Sequence, residues 1–442
     1  MRHRSAAALA AVLLVVVVSC SDSDGHPTAR PGSTARQPIP TSTPATAPTT
    51  APCTADPGLA APSTPVPPDL ALAVQRFAND PGLTGDRFGL SIWIDGLGEV
   101  GALEPDVPLL PASNQKLLTA MGVLSVLGPS ARFTTVVWRT PDGSLAIVAS
   151  GDPSLTARGP NSLDALAAQV RSAGVTSVPG ALVVDESRYD GLRRAGQWQD
   201  WQVPAYAGPL SALMVDDNRY RRDAEFLADP ALANGQLFRV ALAAHGIAVN
   251  GPTVHGIAAP DGAVIASLSS APVSALLTAT LLHSDNMAAE ELLKEVGHST
   301  GAPGSTAGGL AVTRAALAPL CIPLAGTDDD GSGLSPADSR SPREWRELLQ
   351  AARAQPWWPL LRDALPLAGR SGTLSARFRG TAADGNVRAK TGTIIGGIAL
   401  SGYGTTAGGR GFVFSVLVNG DRSPAAEKPL DALITAVAAH PG

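Results

Sequence analysis

Ser113 and Lys116 lie three residues apart, so on a helix their side chains share one face. A serine hydroxyl is a weak nucleophile until a neighbouring base takes its proton. A lysine becomes that base when burial or a nearby cation lowers its pKa. Two further motifs follow in order, Ser284-Asp285-Asn286 and Lys390-Thr391-Gly392. Ser284 and Asn286 flank one residue and point the same way in an extended or looped segment. The Ser284 hydroxyl can relay a proton to a leaving amine. The Asn286 amide can hold a substrate carbonyl and reach Lys116. Lys390 adds positive field, and with Thr391 it suits a terminal carboxylate. Gly392 lets a peptide come close to the backbone. The N–H groups where the Ser113 helix starts, with that of Thr393, suit an oxyanion hole. This is acyl transfer through a serine ester, and it calls for no metal or organic cofactor.

Ser-x-x-Lys and Ser-x-Asn are each common by chance. Lys-Thr-Gly is rarer here, because the chain has only four lysines: Lys116, Lys294, Lys390 and Lys428. Two of them fall in the motifs, in order. Lys116 also interrupts an apolar helix, where an unpaired lysine is costly. Lys294 reads as a solvated helix face.

The elements that must hold these groups are legible in outline. A helix over 69–79, capped by Asp69, precedes a strand over 88–94. An apolar helix over 117–127 follows the serine and stops at Gly128-Pro129. Residues 134–267 read as inserted material, with strands over 145–149, 181–185 and 240–243 and a helix over 163–173. Helices then dominate, over 273–282, 287–296, 309–317, 342–354 and 425–438. Late strands over 393–403 and 411–418 read as an antiparallel hairpin whose first strand begins with Lys-Thr-Gly and can pair with an extended peptide. The pattern is α+β, an antiparallel sheet packed by helices, with inserted smaller domain material.

A net charge of −5 without a basic stripe argues against a nucleic-acid or polyanion binder. The first twenty residues carry Arg2, Arg4 and an apolar run of thirteen residues. That run is shorter than the roughly twenty needed to span a bilayer as a helix, and it suits a signal peptide. Ser19-Cys20 after it resembles a lipoprotein cleavage site, with Cys20 as the lipid carrier. Plain secretion and an uncleaved anchor are the alternatives, and all three place the protein outside the cytoplasm. Residues 21–68, rich in Pro, Thr, Ala and Ser, read as a disordered tether reaching about 40 Å. Cys53 and Cys321 form one exported pair that can close a disulfide, two free thiols being the alternative.

The three motifs together are shared by β-lactamases and penicillin-binding proteins. Gly151-Asp152-Pro153-Ser154, Asp330-Gly331-Ser332-Gly333-Leu334-Ser335, and Gly372-Thr373-Leu374 running into 387–392 resemble the D-alanyl-D-alanine carboxypeptidase/endopeptidase family, the class C low-molecular-mass penicillin-binding proteins. The resemblance covers most of 69–438. It implies a penicillin-binding, β-lactamase-like transpeptidase domain over 69–133 and 268–442, interrupted by the insertion. It further implies peptidoglycan stem peptides as substrate and β-lactam antibiotics as inhibitors. About 170 residues separate the first two motifs, far more than in class A β-lactamases. No Glu-x-x-Leu-Asn segment follows Ser284, so the deacylating glutamate of those enzymes is not evident. A β-lactamase or esterase on the same fold, and a non-catalytic wall-binding lipoprotein, are the rival readings. Asp328-Asp329-Asp330-Gly331 fails as a calcium loop, because Gly326 and Ala337 occupy the first and last ligand slots, and it reads as a surface turn. The histidines show no metal-ligand spacing.

Overall fold

The computed structural model describes residues 65–218, 223–259, 261–421 and 423–442. The apolar N-terminal segment, Cys20, Cys53 and the Pro/Thr-rich stretch as far as residue 64 lie outside them.

After α1 (Pro68–Ala78), strands β1 (Arg87–Ile94) and β2 (Gly98–Leu103) pair as a hairpin, and a turn leads into α2 (Gln115–Val126). The chain then forms β3 (Thr134–Arg139), β4 (Leu145–Val148), α3 (Leu163–Ser172), β5 (Ser177–Val178), β6 (Leu182–Asp185), α4 (Ala224–Ala228), α5 (Pro230–Ala244), β7 (Ala248–Val249), β8 (Thr253–His255) and β9 (Ala263–Ser269). It continues through α6 (Val273–His283), α7 (Asn286–His298), α8 (Thr306–Leu317), α9 (Pro342–Ala352) and α10 (Trp358–Ala364). Strands β10 (Arg388–Ile394), β11 (Gly397–Thr405) and β12 (Gly411–Asn419), then α11 (Glu427–Ala438), end the chain.

The principal sheet runs β10-β11-β12-β1-β2 and is antiparallel throughout. Both faces are covered. On β12, Phe412, Phe414, Val416 and Val418 pack with Leu430, Ile434 and Val437 of α11 and with Leu70 and Phe77 of α1. The alternate residues Val413 and Leu417 pack with Leu117 and Met121 of α2, Leu281 of α6 and Trp345 of α9. Period-two alternation feeds two cores, which is why these strands are apolar on both faces. A second sheet, β8-β6-β4-β3-β9, is mixed: β4, β6 and β8 are parallel, and β3 is antiparallel to both its neighbours. It buries Val137, Ile147 and Val184 against Leu166 of α3 and Phe238 of α5.

Several local expectations are corrected. Residues 240–243 belong to α5, because the Asp229 carboxylate accepts the Leu232 N–H at 3.0 Å and Pro230 follows as the first helical residue. Phe238 and Leu242 then share the buried face of that helix. Residues 393–403 are two strands, because Ile394 pairs with Gly397 and leaves Ile395-Gly396 as a tight turn, with Gly396 at φ +82°. Asp69 lies inside the first turn of α1, where its carboxylate meets His440 Nδ1 at 2.7 Å instead of capping. Cys321 is disulfide-bonded. Among the described residues, no helix is long and apolar enough to cross a membrane.

Lys294 is the largest correction. It is 1% exposed, because α7 is packed on all sides. Its ammonium pairs with Asp190 and lies 5.5 Å from the Tyr189 ring centre. Removing one partner of a buried pair strands the other charge. Asp190→Ala should therefore lower unfolding stability by about 3 kcal/mol in urea titration. A loss below about 0.5 kcal/mol would return Lys294 to a solvated role.

Candidate active site

Ala112–Asn114 forms a single 3₁₀ turn that runs straight into α2. Ala112 takes φ +46°, a left-handed conformation unusual for a residue with a side chain. The turn is clamped on two sides by glycines. A methyl group on Gly333 would lie 1.9 Å from the Ala112 carbonyl oxygen, and one on Gly392 would lie 2.9 Å from the Pro111 carbonyl oxygen. Gly392 therefore admits the serine turn itself, a constraint beyond the substrate approach expected from sequence. From beneath, buried Asn114 donates through Nδ2 to Ser401 Oγ at 2.7 Å, and Ser401 donates to Ser415 Oγ at 2.8 Å. Ser113 stays half-buried, while Lys116 below it is 1% exposed.

Lys116 Nζ has three oxygen neighbours: Ser113 Oγ at 3.1 Å, Asn286 Oδ1 at 2.6 Å and the Ser332 carbonyl at 2.6 Å. An ammonium donates to all three. A neutral amine has two N–H groups and one lone pair. The two carbonyl oxygens can only accept, so they take the N–H groups. The lone pair is left for the Ser113 hydroxyl, the one neighbour that can donate. Burial lowers the Lys116 pKa to about 8, against the opposing pull of Asp330, Asp285, Glu290 and Asp338.

Ser284 and Asn286 do not sit in an extended segment. Ser284 ends α6 in the left-handed region at φ +56°, and Asp285 caps α7 by accepting the Ala288 N–H at 3.1 Å. Asn286 is the first residue of α7. The two motif side chains consequently serve different lysines. Ser284 Oγ accepts from Lys390 Nζ at 2.8 Å, while Asn286 accepts from Lys116 and donates from Nδ2 to the Tyr206 carbonyl at 2.9 Å.

Lys390, Thr391 and Gly392 lie along β10, an edge strand with β11 as its sheet neighbour. Lys390 is fully buried and donates also to the Thr391 carbonyl at 2.8 Å. Burial, and then the neighbouring Lys116 charge, push its pKa well down. The Thr391 and Thr373 hydroxyls are 2.7 Å apart, and Thr393 is exposed. All eight residues singled out by sequence thus meet where α2, the α6–α7 junction and β10 converge.

Sequence reasoning picked out 330–335 as a family resemblance but read the run that opens it, 328–331, as a surface turn. It is not a surface turn, because Asp330, Ser332 and Ser335 are each fully buried. Asp330 accepts backbone N–H groups from Ser332, Gly333, Leu334 and Ser335, at 3.0, 2.6, 3.0 and 2.8 Å. An aspartate followed by small residues is the signal for such an Asx-type turn, but nothing in it announces burial. Glu290, fully buried, accepts the Gly331 N–H at 2.9 Å, and burial raises its pKa to about 8. One trio elsewhere, Glu186, Asp229 and His255, brings metal-ligand atoms within 4.8 Å of each other among the described residues. Arg193 lies within 4 Å of both carboxylates, at 2.6 and 3.8 Å, so an ion-pair network already occupies it.

The arrangement sets a serine hydroxyl beside a buried lysine where a helix start meets the edge of an antiparallel sheet, the layout of a serine acyl-transferase. The chain belongs to the D-Ala-D-Ala carboxypeptidase 3 (S13) family, which it matches over residues 70–226 and 222–440. It is 31% identical to a D-alanyl-D-alanine carboxypeptidase of Actinomadura sp. (strain R39), over 88% of each chain. It is 32% identical to carboxypeptidase DacB of Mycolicibacterium smegmatis, over 97% of this chain and 94% of that one. Among solved structures, penicillin binding protein 4 (dacB) from Haemophilus influenzae superposes with TM-score 0.71 at 22% identity, covering 82% of this chain and 97% of that one. A second structure of that protein is complexed with a β-lactam. The family and fold expected from the motifs are borne out, and with them a serine-type DD-peptidase acting on peptidoglycan.

If neutral Lys116 is the base, acylation requires its deprotonated form. At pH 7, about a tenth of a group with this pKa is neutral. The acylation rate constant should rise with pH through about 8 and level off above it, measured with a chromogenic or fluorescent β-lactam.

Proposed function

We propose that Ser113 carries the acyl group in a penicillin-sensitive DD-peptidase that hydrolyses D-Ala-D-Ala ends or stem-peptide cross-links. The observation that supports this most directly is the Lys116 amine. Its two carbonyl acceptors, Asn286 and Ser332, leave its lone pair for Ser113. In this reading Lys116 takes the Ser113 proton as Oγ attacks the scissile carbonyl. The resulting oxyanion faces the N–H groups of Ser113 and Thr393. Ser284, held by Lys390, passes a proton to the departing amine. Thr391 and Lys390 receive the terminal carboxylate, with the peptide laid along β10 beside Gly392. Water then resolves the ester, and no resident metal or cofactor takes part. We assign the catalytic body to 69–133 and 268–442 and the insertion to 134–267, a division supported by the two separate sheets.

Fluorescent penicillin should label the wild type covalently, and Ser113→Ala should abolish the label without lowering the melting temperature. A well-folded wild type that takes no label would sink the proposal, and rapid turnover of the drug would favour a β-lactamase. Muropeptide digests separate the two wall activities: released D-Ala marks the carboxypeptidase, and dimers converted to monomers mark the endopeptidase.

Anchoring is a second part of the reading. Cys20, after an apolar run of thirteen residues, is assigned as the lipid-bearing residue, with 21–68 as the tether toward the wall. Cells fed a radiolabelled fatty acid should incorporate it into the wild type and not into Cys20→Ser. Equal incorporation would rule Cys20 out.

A further inference from the structure

Six donors converge on the Asp330 carboxylate. Four are the backbone N–H groups of residues 332–335, described above. The fifth is the Ser332 hydroxyl at 3.1 Å. The sixth comes from far away in sequence: Trp198 Nε1, at 2.7 Å from Oδ2. The turn that Asp330 gathers is docked onto α2 by its own backbone. The Gly331 carbonyl accepts from Thr119 Oγ1 at 2.7 Å, and the Ser332 carbonyl from Lys116 Nζ at 2.6 Å. Gln115 Nε2 reaches the Asp330 carbonyl at 3.3 Å. Gly333 lies against the Ala112 carbonyl. With glycines at 331 and 333, this backbone has little intrinsic reason to keep one shape. The carboxylate supplies it.

Trp198 belongs to a segment, 195–214, that leans on the same groups. Ala195, Trp198, Ala207, Leu210 and Met214 form one apolar cluster with Met287, next to Asn286, and Leu334 of the turn. Gln202 Nε2 donates to the Leu334 carbonyl at 2.8 Å, and the Tyr206 carbonyl holds Asn286. Two of the three oxygens around the Lys116 amine, those of Ser332 and Asn286, are therefore supported from this segment.

We propose that Asp330 is a positioning residue for the lysine base, and that the Trp198 indole makes this positioning depend on docking of the 195–214 segment. The inference rests on the reading of Ser113 and Lys116 given above. Misplacing a catalytic group by about 1 Å can cost on the order of a hundredfold in rate. A carbonyl set by a turn of small residues is exposed to that error. The carboxylate also acts through space. The charged or titratable groups bearing on Lys116 are Asp330 and Asp338 from the turn region, Asp285 and Glu290 from the α7 segment, and Lys390 from β10; Asp330 is the strongest of the acids.

The test uses the full chain and a fluorescent penicillin, with acylation followed over pH in wild type, Trp198→Phe, Asp330→Asn and Ser113→Ala. Trp198→Phe keeps an aromatic ring and removes the N–H donor. It should still unfold cooperatively, bind drug non-covalently as wild type does, and acylate about tenfold more slowly. Asp330→Asn keeps the size and removes the charge. It should acylate more slowly at its plateau, with the pH midpoint moved down by about one unit, because an anion that favours the Lys116 ammonium is gone. A turn that merely holds the fold together would not move that midpoint. Trp198→Phe acylating at the wild-type rate, or folded Asp330→Asn with the wild-type midpoint, overturns the proposal. Should Asp330→Asn not fold, Trp198→Phe decides alone. Label persisting in Ser113→Ala would instead defeat the underlying assignment of the nucleophile.

Discussion

An amine buried away from water must find an oxygen for each N–H, and much of this active site follows from meeting that demand at Lys116. Its three partners come from three places in the chain: Ser113 at the head of its own helix, Asn286 at the start of α7, and the Ser332 carbonyl from a turn after α8. Only Ser113 is fixed by local sequence. α2 must pack beside α7, and the 330–335 turn must close over both, before Lys116 has its acceptors. Burial of one side chain thus couples helix packing to the geometry of acyl transfer.

The sheet contributes through a parallel demand. Lys390, Ser401, Ser415 and Ser91 are successive cross-strand partners on β10, β11, β12 and β1, and all four are fully buried. A polar file runs across an otherwise apolar face. Asn114 plugs into it at Ser401, and Arg346 of α9 closes the far end by donating to the Ser91 hydroxyl at 3.1 Å, while Ser91 donates to Glu99 at 2.7 Å. Buried hydroxyls this far from solvent are costly unless paired. Their pairing sets the register at which the Ser113 turn meets β10. The two glycines at that meeting, 333 and 392, then allow the backbones to touch.

How much of this was legible in the sequence depended on how local the cause was. Ser113, Lys116, Ser284, Asn286 and Lys390 could be picked out because they fall in three short motifs in a fixed order, and one rare residue, lysine, carried two of them. Strand β1 and helices α3, α6 and α9 followed from period and caps. What escaped reading had non-local causes. Lys294 looks solvated on a helix wheel, but Asp190, over a hundred residues earlier, makes its burial tolerable. The acidic run at 328–330 looks like a surface turn because nothing local announces the further donors that cover it. Trp198 is one of these, and Arg340, fully buried and bound to Asp328 at 2.5 Å, is another. The helix at 230–244 was missed because the short apolar run from Val240 reads as a strand, and its Asp-Pro start reads equally well as a turn.

The two motif lysines differ in what surrounds them, and in the proposed reading the difference bears on substrate. Lys116 is buried among Asp330, Asp285, Glu290 and Asp338, whose fields oppose desolvation and leave its pKa near 8. Lys390 has the same burial, and the chief charge it feels is the like charge of Lys116, so its pKa falls much further. Among the described residues, no acid opposes that like charge in setting its pKa. Its fixed partners are the Ser284 hydroxyl and a backbone carbonyl, which are neutral. An arriving anion would restore the balance and favour the charged lysine. A peptide ending in a free carboxylate carries that anion at its terminus, as does a penicillin on its ring. A neutral ester does not. In the proposed reading, Lys390 therefore favours ligands that bring their own anion to Ser113.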